Sequence, residues 1–160
     1  MSDHRISAII LDDKSVLRRT RAIEQEREVA IYDLLEANHF KLEGSEGGPY
    51  RLKLSVEENR LVIDIALDDG SEEGAPHGKV MLSLSPLRGL IRDYFLVCDS
   101  YYKAIRTAPP SQIEALDMGR KALHDEGAQA LQTRLAGRVE CDFDTARRLF
   151  TLICVLHLKG

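Results

Sequence analysis

Arg88 and Arg92 stand four residues apart, just past Ser85-Pro86. On a helix that spacing puts both guanidinium groups on one face, beside an N-terminus whose free N–H groups also attract anions. Like charges so placed destabilise a helix by a few tenths of a kcal/mol. A small anion would offset this, and so would the weak surface pairing open to them with Asp93 or Asp99. Arg147 and Arg148 raise the same question. They follow Asp142-Phe143-Asp144 at the start of a helix, where arginine opposes the macrodipole. Crossing to Glu24, Asp33, Glu114 or Asp117 would make them favourable, as a structural bridge or a bidentate clamp. These four arginines are the candidate anion-binding residues. Turnover of a phosphate- or carboxylate-bearing metabolite would also need an acid–base group, and Asp93, Asp117 and His124 are the candidates.

Other chemistries fit less well. Gly74-Ala75-Pro76-His77-Gly78-Lys79-Val80 departs from a phosphate loop in glycine spacing, in the missing hydroxyl after the lysine, and in leading to a strand. In Gly44-Ser45-Glu46-Gly47 the serine directly follows the first glycine, unlike an esterase elbow. His4, His39, His77, His124 and His157 show no metal-ligand spacing. His124 has Arg120, Lys121, Gly127 and Ala128 as its helical neighbours, so an exposed histidine is expected there. Cys98, Cys141 and Cys154 are far apart and odd in number, which suits free buried thiols. No metal or cofactor is expected.

The net charge of −4 at pH 7 conceals a polarity. Residues 1–80 carry 17 acidic and 11 basic residues, whereas 81–160 carry 9 and 11. The acidic excess sits largely in Asp12-Asp13, Glu57-Glu58 and the run from Asp68 to Glu73, which read as solvated loops. An acidic chain with no basic run is poorly suited to neutralising several phosphates at once, so nucleic-acid partners are not expected. The chain is 44% hydrophobic with charge of mixed sign, unlike a disordered segment. It has no run long enough to span a membrane and no signal-peptide pattern, so a cytoplasmic location is expected.

Periodicity supplies the scaffold for these residues. Ile6 to Leu11 reads as a strand, and Arg18 to Asn38 as a helix capped at Thr20. Leu52, Leu54 and Val56 alternate with Arg51, Lys53 and Ser55, and Leu61, Ile63, Ile65 and Leu67 with Val62, Asp64 and Ala66, on either side of Glu57-Glu58-Asn59, predicting a hairpin. Val80, Leu82 and Leu84 continue the sheet. Leu87, Ile91, Tyr94, Cys98, Tyr101 and Ile105 form a heptad-like seam, which would serve either a buried helix or a homodimer interface. Pro109-Pro110 ends that helix, and Ser111-Gln112-Ile113-Glu114 resembles a capping box for the next. The last helix is apolar nearly all round from Leu149 to Leu156, as in the middle of a core. The expected architecture is one α+β domain over 1–160. It has a small antiparallel sheet, a hairpin or meander of about four strands, with one face covered by an N-terminal helix and a C-terminal three-helix layer.

Several stretches carry a family resemblance: Glu24-x-Glu26-Arg27 with Val29 to Leu35, Gly47-Gly48-Pro49-Tyr50-Arg51-Leu52, Leu82 to Pro86, Pro110 to Ala115 with Asp117-Met118-Gly119-Arg120, and Asp142 to His157. Together they resemble an uncharacterised protein family of small alphaproteobacterial cytosolic proteins. The resemblance brings no activity and no site residue. The residues themselves favour a non-catalytic interaction or ligand-binding module that takes a small anion and self-associates as a homo-oligomer. The alternatives are a small hydrolase or transferase for an anionic metabolite and, less well supported, an RNA-binding protein.

Overall fold

The computed structural model describes residues 3–12 and 21–157. The expected cap at Thr20 lies outside them. Strand β1 (Ile6–Leu11) leads to helix α1 (Arg21–Glu36), the short strand β2 (Phe40–Leu42), and then strands β3 (Tyr50–Glu57), β4 (Arg60–Leu67) and β5 (Ala75–Ser83). A single 3₁₀ turn (Ser85–Leu87) opens α2 (Arg88–Thr107). Helix α3 (Pro110–Leu135), strand β6 (Val139–Cys141) and helix α4 (Phe143–His157) complete the order. The architecture is α+β, as expected.

The sheet runs β1-β3-β4-β5. The β3–β4 hairpin turns on Glu58 and Asn59, both with positive φ (50° and 62°), the signature of the tight turn that matches strand twist. Strand β1 pairs parallel to β3, so the sheet is mixed where an antiparallel one was expected. Alternation reveals which side chains face inward but not strand direction. The chain between β1 and β3 supplies the crossover that a parallel pair requires. Strand β5 begins before Pro76, which an edge strand tolerates. A second small sheet pairs β2 with β6.

The inner face of the sheet (Leu52, Leu54, Leu61, Ile63, Ile65, Val80, Leu82) joins one core with Tyr94, Phe150 and the interior of α4. Helix α4 packs on α1, α2, α3 and β3, and every residue from Leu149 to Leu156 is buried. Its N-terminus is capped by Asp142, whose Oδ1 accepts from the Thr145 N–H at 3.1 Å. The cap of helix α3 lies two residues before the expected one. Pro109 is extended and Pro110 holds the first helical position, which its fixed φ suits, so Ser111 lies inside the helix. The heptad seam of α2 is buried at Leu87, Ile91, Tyr94 and Cys98, but Ile105 is exposed. No described helix is long and apolar enough to cross a membrane.

Candidate functional site

Asp117, Arg120, Lys121 and His124 recur at three and four residues along α3, so they share one face. That face meets α1 and the start of α4 around a cleft of about 210 Å³, lined by Glu26, Asp33, Arg120, Lys121, His124, Arg147, Arg148 and Thr151 among others. Arg120 organises it. Its Nη1 donates to Glu26 Oε1 and its Nη2 to Asp117 Oδ1, both at 2.8 Å. The guanidinium also lies 4.8 Å from the centroid of the Tyr101 ring, a cation–π contact. Lys121 Nζ sits 3.2 Å from Asp117 Oδ2. Burial opposes the Arg120 charge, but the bonds to Asp117 and Glu26 and the Glu26 charge outweigh it, and its pKa rises. Asp117 is held below the usual carboxylate range, chiefly by the Arg120 hydrogen bond.

Glu26 is buried beneath this arrangement, at 5% exposure. Besides Arg120 it accepts from the Cys98 thiol, 3.6 Å away. Burial and the Glu26 charge push the Cys98 thiol up to about 12, and burial raises Cys141 to about 11 and Cys154 well above its ordinary value. All three are free and buried, and protonated near neutrality they are poor nucleophiles.

His124 corrects an expectation, for it is buried at 9% exposure instead of facing solvent. Gly127, Ala128, Leu131 and Leu135 mark the inward face of α3, and His124 stands one turn before them. Its ring packs 5.0 Å from that of Tyr94. Its Nε2 is enclosed without a hydrogen-bond partner among the described residues, as is Arg120 Nε. Burial, followed by the charges of Arg120 and Arg147, lowers the His124 pKa from 6.5 to about 4. The unfolded chain therefore binds this proton first. Stability is full above about pH 6.5 and falls as the pH drops toward 4, by about 2 kcal/mol at pH 5. Urea unfolding at pH 7 and pH 5 should show this loss in the native chain and not in His124→Gln. An equal loss in the variant would refute the assignment.

Arg147 and Arg148 both reach the cleft, but neither makes the expected crossing to a carboxylate. Arg147 Nη2 approaches Asp144 on its own helix at 3.9 Å, and Arg148 Nη1 donates to the Ala37 carbonyl at 3.3 Å. The carboxylate clamp belongs to Arg120, through Glu26. Helical spacing brings Asp117 beside Arg120 and Lys121, but Glu26 lies 94 residues from Arg120 and no spacing rule joins them. Arg88, Arg92 and Asp93 lie apart from the cleft. Arg92 and Asp93, 73% and 49% exposed, pair at 3.3 Å on the solvent face of α2.

A second polar cluster surrounds Ser45. Its Oγ accepts from Tyr50 Oη at 3.0 Å and from the Gly47 N–H at 3.2 Å. It lies 2.8 Å from His77 Nε2, to which it can donate. With both lone pairs occupied, the hydroxyl is suited to tying the loop after β2 to β5 and not to attack on a substrate. No group of three or more His, Cys, Asp or Glu residues that could hold a metal occurs among the described residues.

No solved structure matches the chain. A UPF0262 protein of Azorhizobium caulinodans is 58% identical over 158 residues, covering 98% of this chain and 96% of its own. One from Phenylobacterium zucineum is 56% identical over 157 residues, covering 98% and 95%. One from Caulobacter vibrioides is 55% identical over 160 residues, covering 99% and 96%. The profile of the uncharacterised protein family UPF0262 matches residues 3–159. With that match and those relatives, the chain belongs to the UPF0262 family.

Proposed function

We propose that this UPF0262 protein is a non-catalytic binding module that takes a small anionic ligand in the cleft between α1, α3 and α4. The observation that carries the reading is the convergence of Arg120, Lys121, Arg147 and Arg148 on one small concavity. Among the described residues the one carboxylate within ion-pair reach of Arg147 or Arg148 is Asp144, 3.9 Å from Arg147; Arg148 meets the Ala37 carbonyl. A ligand carboxylate or phosphate would give the pair charge-assisted hydrogen bonds, bidentate where the fork geometry allows. The acid–base candidates support binding over turnover. Asp93 is remote, Asp117 is engaged by Arg120 and Lys121, and His124 turns Nε2 into the packed interior.

Inorganic phosphate at constant ionic strength tests the reading. A ligand at about a hundred times its Kd stabilises by about 2.7 kcal/mol, or roughly 5–10 °C in Tm for a chain of this length. Phosphate should raise the Tm of the native chain and of Arg88→Gln/Arg92→Gln alike, and lose the effect in Arg147→Gln/Arg148→Gln. Retention of the shift in the last variant would place the anion elsewhere. Self-association belongs to the same proposal. Leu96 and Met118 are 62% and 65% exposed, and they flank the point where α2 and α3 meet at Val97 and Gly119. Light scattering that finds only an 18.0 kDa species at high concentration would remove it.

A further inference from the structure

The charges of the cleft do not all cancel internally. Arg120 is matched by Glu26 and Asp117, and Lys121 by Asp117. That leaves, on one wall, Arg148, which meets only the Ala37 carbonyl, and Arg147, whose one carboxylate contact is a 3.9 Å approach to the exposed Asp144 of its own helix. On the α1 wall stands Asp33, half-buried, which lines the same cleft and whose carboxylate has no ion-pair or hydrogen-bond partner among the described residues. Two guanidinium groups and a carboxylate thus share a cleft of about 210 Å³ without meeting. A ligand that is only an anion would satisfy the arginines and be repelled by Asp33 and Glu26. A ligand with a cationic donor beside its anionic group would satisfy both walls.

We propose, resting on the anion-binding reading above, that the ligand is a small zwitterion of the α-amino acid class, its carboxylate held by Arg147 and Arg148 and its ammonium by Asp33. In an α-amino acid the two charged groups are separated by a single carbon, so one small molecule presents both charges within a cleft of about 210 Å³. Val29 and Ala30 of α1 also line the cleft and offer apolar surface to a short side chain. Thr151, which also lines the cleft, donates its hydroxyl proton to the Arg147 carbonyl, which leaves its oxygen with acceptor capacity. His124, neutral near pH 7, adds no further charge for the ligand to balance.

Matched pairs of ligands give the test. Titration calorimetry on the full chain would compare glycine, L-alanine and L-serine with acetate, propionate and 3-hydroxypropionate, each lacking only the ammonium group, and with N-acetyl-L-alanine, in which the amine is blocked. At least one amino acid is expected to bind tenfold or more tighter than its deaminated partner. N-acetylation should abolish that advantage, and so should Asp33→Asn, which preserves shape and should leave the binding of the simple acid unchanged or tighter. If amino acids and simple acids bind alike, or Asp33→Asn retains the preference, the inference is overturned and the anion-binding reading stands. If none of the amino acids, the simple acids or phosphate binds, both fall together.

Discussion

Replacing Gly127 with alanine is expected to destabilise the protein by about 3 kcal/mol, although alanine is the better helix former by about 1 kcal/mol. Gly127 is buried on α3 where it crosses α4, and a Cβ there would fall within the van der Waals envelope of Cγ, Cδ2 and Cε2 of Phe150. The ring cannot yield easily. Phe150 is fully buried, with the Tyr94 ring edge-on at 6.1 Å, and a close-packed interior transmits such an overlap as off-rotamer strain and helix displacement. Gly119, two turns earlier on the same helix, provides the contrast. A Cβ there would meet only Val97 Cγ2, at 3.5 Å, which is ordinary contact. Gly119→Ala should therefore stabilise by about 0.5–1 kcal/mol through helix propensity alone. Thermal unfolding of the two variants should move in opposite directions, Gly127→Ala by roughly −6 to −12 °C. A Gly127→Ala protein as stable as the native chain would mean that α3 and α4 are not as close as described.

That crossing explains which parts of the molecule could be read from the chain. Strands β3 and β4 and helices α2 and α4 bury residues at their own periods, so alternation and heptads reveal them. Helix α3 does not. Its inward positions are His124, Gly127, Ala128, Leu131 and Leu135, of which the first three are polar or small, and a Cβ on Gly127 would run into the Phe150 ring of α4. With no apolar stripe on that stretch, His124 reads as exposed, and the cleft beside it cannot be seen. Strands β2 and β6, three residues each, are too short for any period. Arg147 and Arg148 were legible as arginines needing a reason, but their shared cleft with Arg120, Lys121 and Asp33 arises from helix packing among segments distant in sequence. Arg88 and Arg92 carry the same local signature on an exposed stretch of α2. Residue type and spacing could not distinguish the two pairs, and only the packing of α1, α3 and α4 does.

The larger effect is expected at Arg120. Arg120→Met keeps most of the aliphatic stem and removes the guanidinium, leaving Glu26 with a side chain 6% exposed and only the Cys98 thiol as donor among the hydrogen bonds that remain. Stranding one charge of a buried pair costs about 3–5 kcal/mol. The pair itself need not be net stabilising, because desolvating both groups offsets much of their attraction. Glu26→Leu in the Arg120→Met background removes the stranded charge and should recover most of the lost stability. A double-mutant cycle by urea unfolding measures the coupling directly. Strong coupling, with the double variant well above Arg120→Met alone, is the expected result. Additive losses at the two positions would show that Glu26 and Arg120 act independently, and that the floor of the cleft is not held by their contact.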